Sequence, residues 1–464
     1  MLDCQAAGEA ERLRFDEGIA LIYNNFRMYP RFAKLLLLLV LCSGSASFGL
    51  TLRESIEICY KNNPEILAQG EKIKVEESRV GQAISAYLPA LRIEGQYGKQ
   101  HSTLVLDNFF PGISYSVLPD FNANLIYYGA TFSQSLFTGG KLSNNLEMAQ
   151  AQLDIAREEL KRKKQELAYR VTTAFYDLLR VQRLVEVGEE VEKIARAHLE
   201  QATNYVNLGR AGRSDLLRAE VMVAQEEFDK IKSENNFEEA KIEFNRVLGK
   251  KQEGNLTEGG GLNETGVAPA SSEALFAITF KQRPEWKIMG LQKKIGEKGI
   301  NLARADFLPS VWLNGTTYKY KVNYADWSWS FENWVVYGLV SWNIFDGLKT
   351  PYHIREAQAS LAATKYDEVQ LENRIRGEVE EARLRFQSEE RRIQLAEREV
   401  NLAQEHLQLA LEEYRKGVKN NIELLEAQHT LSRARIDLLQ AHSDYELAKA
   451  RINMATGAEI FKPL

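Results

Sequence analysis

Histidine, cysteine and long apolar runs are all scarce in this chain of 464 residues. Only six histidines and three cysteines occur; the histidines stand in no metal-ligand spacing, and no nucleophile motif accompanies them. We therefore expect no enzyme, no metal and no other cofactor. No segment reaches about 18 consecutive apolar residues, so no transmembrane helix is expected. The 59 basic residues are balanced by 64 acidic ones, and a net charge of −5 offers no basic surface to nucleic acid. The histidines are His101, His198, His353, His406, His429 and His442.

The N-terminal region predicts export from the cytoplasm. Leu35–Cys42 is an uninterrupted apolar run, with basic residues before it and small residues after it at positions 43–47. This pattern is typical of a secretory signal peptide and is too short to span a bilayer. Lipidation of Cys42 is the alternative, although Leu41 stands where a lipobox has a small residue. An exported chain without a transmembrane helix is periplasmic, secreted or inserted in an outer membrane as a β-barrel. After removal of the predicted signal peptide Cys59 would be the remaining cysteine, and it is predicted to be a small buried residue.

An internal duplication organises the rest of the chain. Residues 136–141 correspond to residues 344–349 at an offset of 208, and the Leu-Pro pair at 88–89 corresponds to the one at 308–309 at an offset of 220. The extra 12 residues lie between these two marks, so the first half should contain the longer external loop, around Leu104–Asn122. Two copies of one unit indicate a pseudo-symmetric structural device rather than a single catalytic pocket. Further corresponding segments are Asp215-Leu216-Leu217 with Glu423-Leu424-Leu425, Leu248-Gly249 with Thr456-Gly457, and Asn63-Pro64-Glu65 with Arg283-Pro284-Glu285.

The duplication predicts five segments along the chain. They are an N-terminal extension with the signal peptide (1–47), a first repeat (48–250), a linker rich in Gly and Asn (251–270), a second repeat (271–458) and a tail (459–464). Each repeat should contain a helix, a strand hairpin, a very long helix and a shorter helix. The hairpins should cover about residues 90–137 and 310–345, and the helices before them should be Thr51–Tyr87 and Ser271–Phe307.

The long and short helices are predicted to form coiled coils. Apolar or small residues recur every three or four positions through Lys349–Lys416, and Lys141–Leu208 repeats this pattern more loosely. At about 1.5 Å per residue, each long helix would measure roughly 100 Å. Because a long helix needs a partner along its whole length, two short helices should stack end to end against it. In the last helix, whose counterpart is Arg213–Leu248, two stripes repeat every seven residues: Leu424, Leu431, Leu438, Tyr445 and Ile452 beside Ala427, Ala434, Ala441, Ala448 and Ala455.

The hairpin segments alternate apolar and polar residues, as transmembrane strands do. Asn333–Phe345 and Ile126–Phe137 each have one apolar face. Aromatic residues crowd the second hairpin, which is typical of a belt at the membrane interface. Four strands cannot close a barrel and an open edge is not viable in lipid, so two, three or four copies would pool their strands. A soluble sandwich with stacked aromatics is the alternative. The predicted interface aromatics are Tyr318, Tyr320, Trp327, Trp329, Trp334 and Trp342.

These sequence features occur in the same order in both halves of the chain. Together they resemble the TolC-type outer-membrane channels, the ducts of efflux pumps and type I secretion systems. The resemblance covers about residues 50–458 and rests on the Leu-Pro pairs, the Phe-Thr-Gly-Gly and Phe-Asp-Gly segments and the helix tip from Tyr414 to Glu426. It implies an α+β membrane protein with internal duplication: a homotrimer, each chain giving four strands to a 12-stranded β-barrel in outer-membrane lipid, above a coiled-coil α-helical tunnel through the periplasm. It also implies a periplasmic adaptor (membrane fusion) protein and an inner-membrane RND, ABC or MFS transporter. A soluble periplasmic coiled-coil scaffold or adaptor is the alternative.

The resemblance also implies where such a channel closes. Family members close the periplasmic end with contacts among the coiled-coil tips, and the same tips serve for adaptor docking. Acids repeated around an aperture select for cations, and a paired cation holds the closed state. Lys419 replaces the arginine often found, so its pairing is less fixed in geometry; the alternative is that these charges are simply solvated. The predicted aperture residues are Asp215, Tyr414, Lys419, Glu423 and Glu426, and the predicted docking turns contain Gly209, Gly212 and Gly417.

Overall fold

The computed structural model describes residues 50–110, 113–209, 212–249, 272–323, 328–416, 418 and 421–458. The predicted signal peptide, the linker 251–270 and the tail 459–464 lie outside these residues, as do Trp327, Gly417 and Lys419. The described residues from Leu52 onward belong to one compact unit. No helix among them is long and apolar enough to cross a membrane.

Both halves of the chain contain the same succession of elements. In the first half these are α1 (Leu52–Asn62), α2 (Pro64–Ser85), β1 (Ala90–Phe110), β2 (Ile113–Phe137), α3 (Lys141–Asn207) and α4 (Arg213–Leu248). In the second half they are α5 (Ser272–Gln282), α6 (Pro284–Arg304), β3 (Ser310–Asn323), β4 (Ser328–Ser341), α7 (Lys349–Arg415) and α8 (Asn421–Thr456), with a short 3-10 turn, Ala305–Phe307, after α6.

The expectation of one continuous helix before each hairpin is wrong, because a proline divides each of them. Pro64 and Pro284 occupy the first position of α2 and of α6, where the missing N–H has no helical partner to lose. Proline also disfavours helical backbone in the residue before it, so α1 and α5 end there. Asn63 is extended, with φ −69° and ψ 123°, and its Oδ1 accepts a hydrogen bond from the Glu65 N–H at 2.9 Å. The break before α2 is therefore a capped helix start, whereas the Arg283 side chain makes no cap hydrogen bond before α6.

The coiled coils form much as the periodicity predicts. The long helices α3 and α7 have 67 residues each, or roughly 100 Å at about 1.5 Å per residue. α3 packs against α4, and α7 packs against α8. The alanine stripe of α8 lies buried in the second pair, beside buried Leu424, Leu431 and Ile452. Small residues let the two backbones approach, and the large residues fill the remaining space.

The short helices meet end to end at one joint in each half. In the first half, α4 ends at Gly249 (φ 71°), where an added Cβ would lie 2.9 Å from the Asn62 carbonyl oxygen. Asn63 Nδ2 donates a hydrogen bond to the Val247 carbonyl at 2.9 Å, and the buried Cys59 thiol lies 3.4 Å from the same oxygen. In the second half, the chain after α8 turns at Gly457 (φ 75°) against the backbone of Arg283. Glycine is required at both joints because of the left-handed backbone and the close approach.

The two joints use the same charges in exchanged positions. In the first half Glu65 Oε2 lies 2.7 Å from Arg170 Nη2 on α3 and 2.7 Å from Lys163 Nζ. These two cations lower the pKa of Glu65 to about 2. In the second half the position of Arg170 is taken by Glu378 on α7, and the cation moves to Arg283 at the helix break. In each half an ion pair therefore joins the start of the helix before the hairpin, α2 or α6, to the long helix, α3 or α7.

The four strands form one antiparallel sheet in the order β1-β2-β3-β4. β2 pairs with β3, for example Asn124 with Asn323, so the central pairing joins the two halves of the chain. The first hairpin is the longer, with strands of 21 and 25 residues against 14 and 14 in the second. The additional residues extend β1 to Phe110 and begin β2 at Ile113, so the expectation of a long external loop at 104–122 is wrong. Backbone pairing continues where the side-chain pattern is irregular.

β4 also differs in position from the expected strand. It runs from Ser328 to Ser341, whereas the alternation placed it at 333–345. Its register with β3 sets these bounds, because Ser310 at the start of β3 pairs with Ser341 and Asn323 at its end pairs with Ser328. Trp334 consequently lies in the middle of β4, and Trp342 lies just beyond its end.

Candidate functional site

The tip of the first half is a tight turn between α3 and α4. α3 ends at Asn207, and Gly209 follows with φ 68°, a left-handed conformation that ends helices at little cost with glycine. Gly212 is the residue before α4, and Asp215 Oδ2 accepts a hydrogen bond from its N–H at 3.2 Å. The Asp215 carboxylate is thus held at the positive end of the α4 dipole, close to the turn.

The tip of the second half ends α7 in the same manner. The last turn of α7 closes with backbone hydrogen bonds from Lys416 to Glu412 (3.1 Å) and from Val418 to Glu413 (2.9 Å). α8 begins at Asn421. Glu423 lies in its first turn and is partly exposed, and Glu426 lies one turn later and is exposed. The two carboxylates are three residues apart and so share one helix face.

Tyr414 packs within the second coil and lies within electrostatic range of the first tip. Its side chain packs on the buried cluster of Ala410, Leu424 and Ala427, where α7 meets α8. Burial raises the pKa of the Tyr414 phenol, and electrostatic interaction with Tyr205 and Asp215 raises it further. Tyr205 belongs to α3 and Asp215 to α4, so a tyrosine of the second half lies within electrostatic range of an acid of the first. Of the predicted aperture residues that are described, Tyr414 and Asp215 thus lie in the same region of the tips.

Tyr205 is a tip residue that the sequence analysis missed. It lies in the last turn of α3, and Gln201 Nε2 donates a hydrogen bond to its hydroxyl at 3.3 Å. The duplication gave no signal for it, because the residue at the corresponding position of the second half is Glu413. An aromatic residue one turn before a helix-ending glycine is the signal that was available.

A polar seam joins the two coiled coils further from the tip. Glu190 Oε2 on α3 lies 2.8 Å from Arg435 Nη1 on α8. Both residues line a cavity of about 220 Å³ between the two helix pairs, and Glu226 of α4 and His429 of α8 line it as well. Burial raises the pKa of Glu226, while His429 lowers it. Sequence reasoning missed this cluster because charges beside a heptad stripe are usually solvated.

The predicted interface aromatics lie at two levels of the second hairpin and between them. Tyr320 and Trp329 lie toward the β3–β4 turn, with their rings 6.1 Å apart at 74°. Tyr318 pairs with Asn333 in mid-strand, one residue pair from Trp334. Trp342 lies at the helical end of the sheet, where its Nε1 donates a hydrogen bond to the Phe307 carbonyl at 3.0 Å. Trp334 lies between the two levels and is 75% exposed. Indole and phenol groups at both ends of a hairpin fit the polar borders of a bilayer.

The face of β4 predicted to be apolar is also its more exposed face. Trp334, Val336 and Val340 are 75%, 62% and 66% exposed. Their neighbours of opposite parity, Val335 and Leu339, are 40% and 45% exposed. An apolar sheet face of this kind needs a non-aqueous environment or a protein partner.

Comparison with known proteins identifies the family. The family model "Outer membrane efflux protein" matches residues 56–250 and 282–458. The chain belongs to this family. Among curated relatives, the outer membrane efflux protein BepC of Brucella suis is 21% identical over 418 residues, 89% of this chain and 87% of the relative. The alkaline protease secretion protein AprF of Pseudomonas aeruginosa is 23% identical over 423 residues, 89% of this chain and 85% of the relative.

Solved structures share the fold. The open state of the outer membrane channel MtrE of Neisseria gonorrhoeae superposes with a TM-score of 0.71 at 18% identity, covering 88% of this chain and 89% of that one. The outer membrane channel CmeC of Campylobacter jejuni gives a TM-score of 0.71 at 14% identity, covering 88% and 85%. Two predictions are confirmed: the α+β fold with internal duplication, and an efflux channel of the outer membrane. Membership in this family of channels argues against the soluble scaffold.

Proposed function

We propose that this protein is the passive exit duct of a tripartite efflux pump or a type I secretion system. It would act as a homotrimer whose chains pool four strands each into a 12-stranded barrel in outer-membrane lipid. A periplasmic adaptor and an inner-membrane RND, ABC or MFS transporter would deliver the cargo and supply the energy, and the duct itself would catalyse nothing. The names of the relatives support both branches, since one is an efflux protein and another a protease secretion protein.

The observation that carries the proposal is the proximity of the two coiled coils. The phenol of Tyr414 at the end of the second coil lies within electrostatic range of Tyr205 and Asp215 of the first, and further from the tip Glu190 of α3 pairs with Arg435 of α8 at 2.8 Å. Interactions of this kind can hold neighbouring coils together at one end of a tunnel, and their loss would free them. Lys419, one of the predicted aperture residues, would pair with the tip acids. Gly209, Gly212 and Gly417 would shape the turns at which an adaptor docks.

The tip acids would act as the charge filter of the aperture. Glu423 and Glu426 share one face of α8 close to its start. In an assembly of several copies, their carboxylates would repeat around the axis as a negative ring, which attracts cations. The aromatic residues Tyr318, Tyr320, Trp327, Trp329, Trp334 and Trp342 would anchor the barrel in lipid. Trp334 would do so from the apolar sheet face, given its position in mid-strand.

Purified protein in planar lipid bilayers tests both the duct and the charge filter at its aperture. The unaltered protein should form channels that prefer cations. In cells it should be found in the outer-membrane fraction. Glu423→Ala/Glu426→Ala should lower the cation-to-anion permeability ratio and change the conductance. Glu405→Ala, which removes an exposed carboxylate from α7 away from the tip, is the matched control and should leave the ratio unchanged. Absence of channels would refute the duct, whereas normal selectivity in the double variant would refute only the aperture.

A further inference from the structure

A cavity lies where the four helices of the two coiled coils meet, about three helical turns from the tips. Its volume is about 220 Å³, and α3, α4, α7 and α8 of one chain all contribute to its lining. The apolar part of the lining includes Ile194 of α3, Met222 of α4, Leu407 and Leu411 of α7 and Leu431 of α8. We call this the four-helix cavity. Because the residues of one chain line it, it belongs to the single chain and is not a contact between copies.

The four-helix cavity is large enough for a small organic molecule. A cavity of about 150 Å³ lined by leucine, isoleucine and phenylalanine accommodates benzene. At about 220 Å³ the four-helix cavity therefore has room for a six-membered ring with a short side arm. The unbranched side chain of Met222 can adapt its shape to such an occupant.

Glu226 of α4 brings a carboxylate into this lining. The residue is half-buried, and burial raises the pKa of its carboxyl, because the charged form has lost part of its water. Within the part of the chain that the structure describes, its side chain forms no ion pair and no hydrogen bond, and His429 and Asp229 act on it only by longer-range electrostatic interaction. A carboxylate in this position is unfavourable unless a partner binds it.

The duplication shows that helix packing does not require an acid at this position. The residue that corresponds to Glu226, 208 positions later, is Ala434 of α8. Ala434 is 1% exposed and packs in the alanine stripe between α7 and α8. A small residue lets two helices approach at such a position, whereas a carboxylate holds them apart. The acid at position 226 therefore gains most from a partner that the chain itself does not supply.

A second hydrogen-bond acceptor in the cavity lacks a partner as well. The Oε1 atom of Gln428 on α8 is shielded from solvent, and no described residue donates a hydrogen bond to it. A buried acceptor without a donor is unfavourable, and native proteins satisfy most such atoms. Glu226 and Gln428 belong to different coils, so the cavity presents one free acceptor from each coil to a ligand that carries donors.

The charges around the cavity favour a positively charged ligand. Glu190 of α3 and Arg435 of α8 also line it, and they pair with each other at 2.8 Å. Their charges balance, which leaves Glu226 as the acid to be neutralised. The imidazole of His429 lies within electrostatic range of Glu226 and would compete with a cation when it is protonated. A cationic ligand should therefore bind best at a pH where histidine is neutral.

We propose that the four-helix cavity binds a small amphiphilic organic cation, a primary amine with an aromatic or aliphatic body. The ammonium group would donate hydrogen bonds to the Glu226 carboxylate and to Gln428 Oε1, and the body would lie among the apolar side chains. The site goes beyond the proposed function, because it is a property of one chain. Its effect on the duct rests on that function: an occupant contacts both coils and so favours the arrangement in which they are packed together.

Isothermal titration calorimetry tests the site, with phenethylamine as the probe and the assembled full-length protein in detergent micelles at about pH 8, where histidine is neutral. We expect saturable binding. Phenethyl alcohol has the same size without the charge, and phenylacetate is an anion. Each should bind at least roughly 10-fold more weakly, because a hydrogen bond between charged groups is lost or replaced by repulsion. Methylamine keeps the charge and lacks the ring, and it should also bind more weakly.

Two substitutions in the cavity and a matched one outside it separate the site from general adsorption. Glu226→Gln should weaken the binding of phenethylamine roughly 10-fold or more, and Gln428→Met, which keeps the size and removes the acceptor, roughly 3- to 10-fold. Glu220→Gln removes a carboxylate from the same helix at an exposed position outside the lining, and it should leave binding unchanged. All proteins are measured in the same micelles, so partition of the amine into detergent cancels between them.

The stability of the unliganded variants adds a control on the state of Glu226. Glu226→Gln should not lower the melting temperature, because it removes an acid that has no partner in the chain. A lowered melting temperature would show that the chain already pairs this carboxylate and would overturn the site. Absence of saturable binding, or binding that Glu226→Gln does not weaken, would overturn it too, and water alone would then fill the cavity.

Planar bilayers separate the site from the duct. Phenethylamine should lower the conductance of the unaltered protein, and Glu226→Gln should need a roughly 10-fold higher concentration for the same effect. An equal effect on both proteins would place the action of the amine elsewhere and overturn the link between the cavity and the coils. A protein that conducts and binds no amine would overturn the site and leave the duct, whereas one that binds the amine and forms no channels would overturn the duct and leave the site.

Discussion

The exchanged charges at the two joints predict that one joint can be rebuilt in the pattern of the other. Arg283→Asn/Glu378→Arg gives the second half the residues that the first half has at Asn63 and Arg170. Glu285, the counterpart of Glu65, stays in place and would pair with the new arginine, as Glu65 pairs with Arg170 at 2.7 Å. Each single substitution should lower the free energy of unfolding, and the double substitution should leave it nearly unchanged.

The magnitudes follow from burial and capping. The Arg283 side chain is 9% exposed and pairs with Glu378 and Glu285, whose side chains are 30% and 26% exposed. Breaking a fully buried pair costs 3–5 kcal/mol, so this partly exposed one should cost about 2 kcal/mol. The asparagine returns about 1 kcal/mol as a helix cap, as Asn63 does for α2. Arg283→Asn should thus lose about 1 kcal/mol, and Glu378→Arg about 2 kcal/mol because it faces a buried cation.

Thermal unfolding of all four proteins, followed by circular dichroism, checks this prediction. The double variant should melt within a degree or so of the unaltered protein and above both single variants, since the substitutions couple by roughly 3 kcal/mol. A double variant that loses the sum of the single losses would refute the reasoning. In that case the two joints would only look alike, and the ion pairs would not be equivalent.

Three further predictions concern single residues. Gly139→Ala should lower the melting temperature of the dissociated chain more than Gly347→Ala, because both have a left-handed φ but only the first meets Leu308, a difference of about 1–3 kcal/mol; equal losses would contradict it. The pKa of Glu65 is about 2, below its unfolded value of 4.5, so its ion pairs stabilise the fold above about pH 4.5 and are lost as pH falls toward 2. Glu65→Gln should therefore make the melting temperature depend less on pH between 4.5 and 2. An unchanged dependence on pH would contradict the lowered pKa. Tyr414→Phe should raise single-channel conductance in planar bilayers without changing the melting temperature, and a lowered conductance would contradict a closing role for its hydroxyl.

The helices could be predicted from sequence nearly to the residue. α4 has the predicted bounds, and α3 and α7 each end one residue earlier than expected. Helix periodicity and the glycines at the turns are local signals, and they decide a helix that packs along its whole length. The breaks at Pro64 and Pro284 were missed because a proline at a first helical position resembles a tolerated one inside a longer pattern.

Strands and tip contacts depend on partners that the local sequence does not name. The bounds of β4 follow from the register of Ser310 with Ser341, which a pattern along one strand cannot supply. At the tip, the family resemblance suggested Tyr414 and Asp215, which lie within electrostatic range of each other, and their role at an aperture stays a prediction. Tyr205 completes the group from the other long helix, and no motif links positions so distant in the chain.

The contacts within and between the coils differ in kind, and this difference decides where the assembly can yield. α7 and α8 are joined by a continuous buried stripe, and separating them would expose residues such as Ile375 and Leu431, at about 1.5–3 kcal/mol for each large side chain. The polar seam between the two coiled coils instead has contacts such as Glu190 with Arg435, which exchange for water at about 1 kcal/mol or less. The coils should therefore keep their internal packing when the tips separate. Tyr414 packs on the buried cluster between α7 and α8, and its phenol lies within electrostatic range of Asp215 of the first coil. For this reason a change at its hydroxyl should alter conductance without weakening the coil.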